Sequence, residues 1–120
     1  MRQHQQKRGI ELETLEAIKI DPRLETLFIE ILTIFKEHQI NLIVNEYTDA
    51  PFTYKIEKNK AIQHQYLTKI KSIVESNGFT YIKPDMSSFK DEDYFDHNHL
   101  NHIGSEKYST LLGHTLKGLL

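Results

Sequence analysis

The segment Ile40–Glu46, I-N-L-I-V-N-E, is short, apolar and rich in β-branched residues, and Phe79–Lys83, F-T-Y-I-K, is a second segment of the same kind. Each segment predicts a β-strand. Because the first is apolar for most of its length, we expect it to be a parallel strand that is buried on both faces. Pro51 and Pro84 follow the two strands and prevent their continuation, since proline has no N–H to donate to a neighbouring strand.

Helical patterns surround these two strands. Asp21-Pro22 combines an N-cap side chain with a proline at the first helical position, and an apolar stripe then runs to about His38. A second helix is predicted over about 57–76, with Asn77-Gly78 as its left-handed stop. A last helix is predicted over about 102–117. The stripe of the first helix consists of Leu24, Leu27, Phe28, Ile31, Leu32 and Phe35, and we expect Leu27, Phe28, Ile31 and Phe35 in a core or an interface.

The order helix, strand, helix, strand, loop, helix predicts an α/β fold with parallel strands and crossover helices. Two strands are few for a three-layer α/β domain, so we interpret residues 21–120 as part of a larger sheet domain. Residues 1–20 are predicted to be a polar N-terminal arm, of which the first eight residues are expected to be disordered.

The composition of the chain suits one small soluble domain and excludes several function classes. The 120 residues are 38% hydrophobic and 27% charged, and none is a cysteine, which excludes disulfides and a cysteine nucleophile. No apolar run approaches about 18 residues, so we expect no membrane span. The net charge of −2 argues against nucleic-acid binding. We expect no cofactor, and the chain as written carries no export signal and would stay in the cytoplasm.

The stretch Asp93–Gly104, D-Y-F-D-H-N-H-L-N-H-I-G, is the densest cluster of chemically active side chains. It follows the second strand and precedes the last helix, where functional groups of open α/β sheets gather. Asp96 and His99 are three residues apart, a spacing that lets the carboxylate accept the Nδ1 hydrogen of the imidazole. Such a pair is the base half of a serine hydrolase.

The stretch 95–104 resembles the last conserved block of the SGNH (GDSL-like) hydrolase and acyltransferase superfamily, which reads Asp-x-x-His-Leu-Asn-x-x-Gly. The order of upstream helices and strands is similar as well, over about residues 21–120, and is closest to bacterial envelope O-acetyltransferase-like members. The resemblance implies a flavodoxin-like, three-layer fold of which this chain carries the C-terminal half. It also implies ester hydrolysis or acyl transfer on an acylated small molecule or polysaccharide, and export to the envelope if the chain is a fragment of a longer protein.

The resemblance also assigns roles to individual residues. His99 is the implied general base, and Asp96 orients it. Asn101 is the implied cap of the last helix, Gly104 allows close approach of a neighbouring backbone, and Leu100 anchors the block in the core.

The chain departs from the family pattern in its first blocks. No Gly-Asp-Ser segment is present, and the Gly and Gly-x-Asn blocks that supply the oxyanion hole are missing. We therefore expect the isolated chain to be inactive, because a base without a nucleophile cannot complete acyl transfer. Tyr47 and Asp49 follow the first strand and are predicted to line a cleft.

Two alternatives stay open at the level of sequence. His97, His99 and His102 could hold a zinc or nickel ion, although their spacing is not that of a closed structural site. The chain could also be a non-catalytic protein derived from the same fold, which forms a homodimer by pairing exposed strand edges.

Overall fold

The computed structural model describes residues 21–120, and these form a mixed α/β structure with three helices and a two-stranded parallel sheet. The α/β prediction is thereby confirmed. The predicted arm over residues 1–20 lies outside the described residues. The elements are α1 (Pro22–Glu37), β1 (Ile43–Asn45), a 3₁₀-helix (Pro51–Lys55), α2 (Glu57–Ser76), β2 (Thr80–Ile82), a second 3₁₀-helix (Asp91–Asp93) and α3 (His102–Leu119).

The helix boundaries follow the predicted signals closely. The Asp21 carboxylate accepts a hydrogen bond from the backbone N–H of Arg23 at 2.9 Å, and Pro22 occupies the first helical position of α1. α2 ends beside Gly78, whose φ of 82° is the left-handed conformation that a glycine adopts without steric cost. Local side-chain and backbone chemistry therefore sets these ends.

The two strands pair in parallel, with Ile43 opposite Thr80 and Asn45 opposite Ile82. The backbone N–H of Glu46 adds one more bond, to the carbonyl of Ile82 at 2.9 Å. Both strands are shorter than predicted, because the ladder covers three residue pairs.

The prediction that Ile40–Glu46 is buried on both faces is wrong. Ile40 is 47% exposed and Ile43 is 37% exposed, while Val44 is half-buried. Within residues 21–120, no third strand pairs with the sheet. An apolar, β-branched segment favours a strand, but burial of both faces requires further layers around it.

The contacts divide the chain into two compact units. One unit contains residues 21–46 and 61–83, and therefore α1, the sheet and most of α2. Its buried apolar side chains are Leu32, Val74 and Ile82. At the carboxyl ends of its strands, the Tyr81 hydroxyl donates to the buried Glu46 carboxylate at 2.7 Å.

The other unit contains residues 47–60 and 84–120, and it carries the residues of the SGNH-like block. Ala50, Met86, Phe89 and Tyr94 form its buried core. Phe52, Leu100, Tyr108 and Leu111 pack against that core. Among the described helices of both units, none combines the length and the apolar character needed to cross a bilayer.

Candidate Asp–His site

A short closed loop presents Asp96 and His99. Tyr94 and Leu100 form an antiparallel bridge at the base of the loop, and the Phe95 N–H donates to the His99 carbonyl at 2.6 Å. Leu100 packs against the core from this position. The two sides of the loop are thus tied together, which holds Asp96 and His99 close to each other.

Asp96 is only 7% exposed, and its buried carboxylate collects several hydrogen bonds. Its Oδ1 accepts from the backbone N–H of Asn98 at 3.0 Å and from that of His99 at 2.8 Å. The His99 Nδ1 lies 2.9 Å from Oδ1 and 3.0 Å from Oδ2. Both oxygens of the carboxylate therefore face the imidazole.

The protonation state of Asp96 follows from these contacts. Burial alone would raise the pKa of the carboxyl, but the hydrogen bonds from Asn98 and His99 outweigh it and hold the pKa below its usual range. An ionised carboxylate can only accept, so the His99 Nδ1 carries the hydrogen and Nε2 keeps its lone pair in the neutral ring. The His99 side chain is 70% exposed, so this basic nitrogen belongs to a ring that solvent and solutes can reach.

The start of α3 is built around Asn101 and Gly104. Asn101 is the N-cap, and its side-chain oxygen accepts from the Gly104 N–H at 2.9 Å while its amide donates to the Glu92 carbonyl at 2.6 Å. A Cβ on Gly104 would lie 1.9 Å from the carbonyl oxygen of Asp93, which is far inside van der Waals contact. Only glycine lets α3 approach the Asp93 backbone this closely.

Asp93 anchors the loop to α3, a role that the sequence analysis did not assign to it. Its carboxylate is buried and accepts from the Lys90 N–H at 2.9 Å and from the Lys107 ammonium at 2.6 Å. Its carbonyl accepts from the Asn101 N–H at 3.0 Å. The bond from the Lys90 N–H is one half of a capping box, but a lysine side chain cannot accept the other half, so the spacing of Lys90 and Asp93 was not a capping signal.

Tyr47 and Asp49 lie in the same unit as the Asp–His pair. The Ala50 N–H donates to the His97 carbonyl at 2.8 Å, which ties the segment that carries Asp49 to the loop that carries the pair. The Tyr47 ring meets the edge of Tyr108 with centroids 6.0 Å apart. The Tyr94 hydroxyl also donates to the carbonyl of Thr48.

Asp49 has an electrostatic environment opposite to that of Asp96. Burial raises its pKa to about 6, with a smaller contribution from the charge of Asp96, while His99 acts in the other direction. Among the described residues, no hydrogen bond reaches the Asp49 carboxylate. Burial also raises the pKa of Tyr47, with smaller contributions from the charges of Asp49 and Asp96. The pKa values of these two carboxyl groups, Asp49 and Asp96, are therefore shifted in opposite directions within one unit, which is common at functional sites.

The three histidines of the metal alternative do not converge. His102 is the first residue of α3, and its Nε2 lies 3.2 Å from a carboxylate oxygen of Glu106. His99 is bonded to Asp96 instead. Within the part of the chain that the structure describes, no group of three or more His, Asp or Glu side chains is arranged to hold a metal ion.

The serine residues lie away from any strand-to-helix turn. Ser72 and Ser76 belong to α2, and Ser105 and Ser109 belong to α3. The two others, Ser87 and Ser88, occupy a turn after β2. None of these positions is a strand-to-helix elbow of the kind that presents a nucleophilic serine.

Comparisons with known proteins add no relatives to this picture. No protein-family model, no curated protein and no solved structure matches the chain.

Proposed function

We propose that this chain supplies the Asp–His base of an SGNH-type ester hydrolase or acyltransferase, with the serine nucleophile and the oxyanion donors provided from outside this sequence. The observation that carries the proposal is the contact between the buried carboxylate of Asp96 and the Nδ1 atom of the exposed His99, at 2.9 Å. The finer architecture is part of the same proposal. The two-stranded parallel sheet and its helices would be the C-terminal half of a three-layer, flavodoxin-like domain.

The proposed chemistry uses the two nitrogens of His99 differently. The Nε2 atom accepts the proton of the serine hydroxyl while the serine oxygen forms a bond to the acyl carbon of an ester. The imidazolium that results is stabilised by Asp96 through Nδ1. The same proton then passes from Nε2 to the leaving alkoxide, and the acyl group stays on the serine until water or an acceptor hydroxyl removes it.

The rigidity of the site supports this role. The loop is closed by the Tyr94–Leu100 bridge, and Asp96 receives two backbone N–H groups besides the imidazole. A general base has to be held in one orientation to act on a neighbouring hydroxyl. A solvated histidine without a fixed partner would not meet that requirement.

The test is to restore the missing nucleophile. The coding region around this chain is searched for a Gly-Asp-Ser segment, roughly one domain length, or about 150 to 200 residues, away. The two segments are then expressed together, and hydrolysis of an activated acyl ester is measured. We expect turnover only when both are present, with a loss of at least about a hundredfold in His99→Ala.

The matched control for that test is His102→Ala, which removes an exposed histidine of the adjacent helix and should leave turnover unchanged. Turnover that survives His99→Ala would contradict the proposal. So would the absence of any Gly-Asp-Ser segment in the surrounding coding region. The isolated chain should hydrolyse the ester no faster than its His99→Ala variant, because it has no serine elbow.

A second candidate function is a non-catalytic protein that forms a homodimer through its strand edges. The observation that favours it is the short sheet, to which no third strand is added within residues 21–120. Open strand edges favour pairing with another chain. Light scattering should then give a mass near twice 14.1 kDa, and a monomer at all concentrations would contradict this candidate.

A further inference from the structure

The outward side of α1 carries an unusual number of exposed apolar residues. Leu24 is 63% exposed, Leu27 is 52%, Ile31 is 42% and Ile34 is 55%. We call these four residues the outer stripe of α1. The helix has a separate inward side, on which Leu32 is fully buried and Phe28 and Phe35 are half-buried. Among residues 21–120, α1 therefore has one apolar side that other residues cover and another that is exposed.

The spacing of the outer stripe identifies the kind of surface that would fit it. The steps between its residues are three, four and three, which is the alternation of a and d positions in a heptad repeat. Such a seam packs against another helix with the same seam, because the side chains of one fit into the spaces of the other. A second copy of α1 carries the same seam, because its sequence is the same.

The charges beside the outer stripe select an orientation. At 100° per residue, Arg23, Glu30 and Glu37 lie along the same flank of the stripe. When two copies of α1 pack antiparallel, this flank of one copy faces the same flank of the other. Arg23 of each copy then lies opposite Glu37 of the other. Glu30 then lies near the two-fold axis and meets its own copy, which opposes association.

We propose that the outer stripe of α1 is a homodimer interface, in which two copies of α1 pack antiparallel with Arg23 opposite Glu37. The proposal is independent of the Asp–His chemistry, because α1 and the loop of residues 95–99 belong to different units. It also assigns association to a helix surface, whereas the second candidate function assigns it to the strand edges.

The size of the stripe predicts weak, concentration-dependent association. The segment 24–34 that carries the stripe spans roughly 16 Å at about 1.5 Å per residue, which is less than two heptads. We expect a dissociation constant on the order of micromolar, since small interfaces bind weakly and transiently. The mass measured by light scattering should therefore rise from 14.1 kDa towards twice that value as the concentration increases through this range.

The first test compares two isoleucines of the same helix that are similarly exposed. Ile31 belongs to the outer stripe, whereas Ile29, at 37% exposure, points about 180° away from the centre of the stripe. Ile31→Glu should keep the mass at 14.1 kDa at all concentrations, and Ile29→Glu should dimerise like the wild type. Circular dichroism checks that both variants keep their helices.

The second test reverses charges and leaves the apolar stripe intact. Arg23→Glu and Glu37→Arg should each weaken the dimer by about tenfold, because each turns two attractive pairs into two repulsive pairs. The double variant should recover wild-type affinity. Glu30→Gln should tighten the dimer, since it removes the repulsion at the axis.

Three results would overturn the proposal. One is a wild-type chain that stays monomeric well above micromolar concentration. Another is a dimer that persists in Ile31→Glu, which would place the contact elsewhere, such as at the strand edges. The third is a failure of the double charge reversal to restore affinity when both single reversals weaken it.

Discussion

Residues 91–104 and helix α1 contain comparable numbers of residues, yet they use their side chains in opposite ways. In 91–104, the charged and polar side chains of Asp93, Asp96 and Asn101 each bind two or more named partners within the same unit. In α1, large apolar side chains remain exposed although they could be buried by a partner. The difference indicates that 91–104 is specified by internal contacts, whereas the outer stripe of α1 is suited to contact with another surface.

The largest expected effect comes from breaking the close approach at Gly104. Gly104→Ala places a methyl group against the Asp93 carbonyl, so either α3 or the loop has to move. We expect a loss of about 3 kcal/mol in the free energy of unfolding, at the upper end of the range for overpacking. Urea denaturation followed by circular dichroism measures it.

The matched control is Gly113→Ala in the same helix, where a Cβ meets no atom within 4 Å. That change should stabilise the protein by up to about 1 kcal/mol, because alanine favours a helix more than glycine does. Equal effects of the two substitutions would contradict the structural account of Gly104.

The next effect concerns the anchor at Asp93. Asp93→Asn should cost about 2 kcal/mol at neutral pH, since it weakens hydrogen bonds from a charged Lys107 and from the Lys90 N–H. Burial raises the pKa of Asp93, but these bonds outweigh it and lower the pKa in the folded state. The stabilisation is present above the unfolded value of about 3.9 and is lost as the pH falls through the folded value.

A thermodynamic cycle tests this anchor against its partner. Lys107→Gln should also destabilise the protein, and the double variant should lose less than the sum of the two single losses. Additive losses, or a difference between wild type and Asp93→Asn that persists at pH 2, would show that the anchor does not act through its charge.

The contribution of Asp49 to stability should depend on pH in the opposite direction to that of Asp93, because burial disfavours the charged form of Asp49. Its pKa of about 6 lies above the unfolded value of about 3.9, so stability is fully present below pH 4 and is lost as the pH rises to 6. Asp49→Asn should therefore match the wild type near pH 3.5 and exceed its stability at pH 8 by about 1 to 2 kcal/mol.

The control for Asp49 is Asp85→Asn, which changes an exposed carboxylate that accepts from the Ser87 N–H at 3.0 Å. It should not stabilise the protein at pH 8. A gain from Asp85→Asn, or none from Asp49→Asn, would indicate that Asp49 is not the group whose burial is costly.

The smallest effect is expected at the outer stripe of α1. Ile34→Gln should change the free energy of unfolding by no more than about 0.5 kcal/mol when measured at a concentration where the chain is monomeric. Leu32→Ala, on the buried side of the same helix, should cost about 3 kcal/mol. A large loss from Ile34→Gln would remove the distinction between the two sides of α1.

Much of the fold could be predicted from local signals, because caps and stops act over a few residues. Asp21-Pro22, Asn77-Gly78 and the periodicity of α2 led to helix ends close to those observed. Burial could not be predicted in the same way. The pattern of Ile40–Glu46 is that of a strand enclosed on both faces, but enclosure depends on layers that a local pattern does not contain.

The candidate site was predictable in part for the same reason. The three-residue spacing of Asp96 and His99 was sufficient to predict their contact, because the loop between them is short. The raised pKa of Asp49 and the contact of Asp93 with Lys107 depend on residues distant in sequence, so spacing did not reveal them. The burial of Asp49 arises where the segments 47–60 and 84–120 pack in one unit, and the contact of Asp93 with Lys107 arises where the loop packs against α3.

The central claim is that Asp96 fixes the Nδ1–H tautomer of His99 and leaves Nε2 as a base. Nitrogen-15 NMR of the imidazole side chain measures this directly, at a pH where the ring is neutral. The account predicts a protonated Nδ1 and a bare Nε2 for His99, with this preference lost in Asp96→Asn. A neutral His99 that carries its hydrogen on Nε2, or a tautomer that Asp96→Asn does not change, would contradict the account.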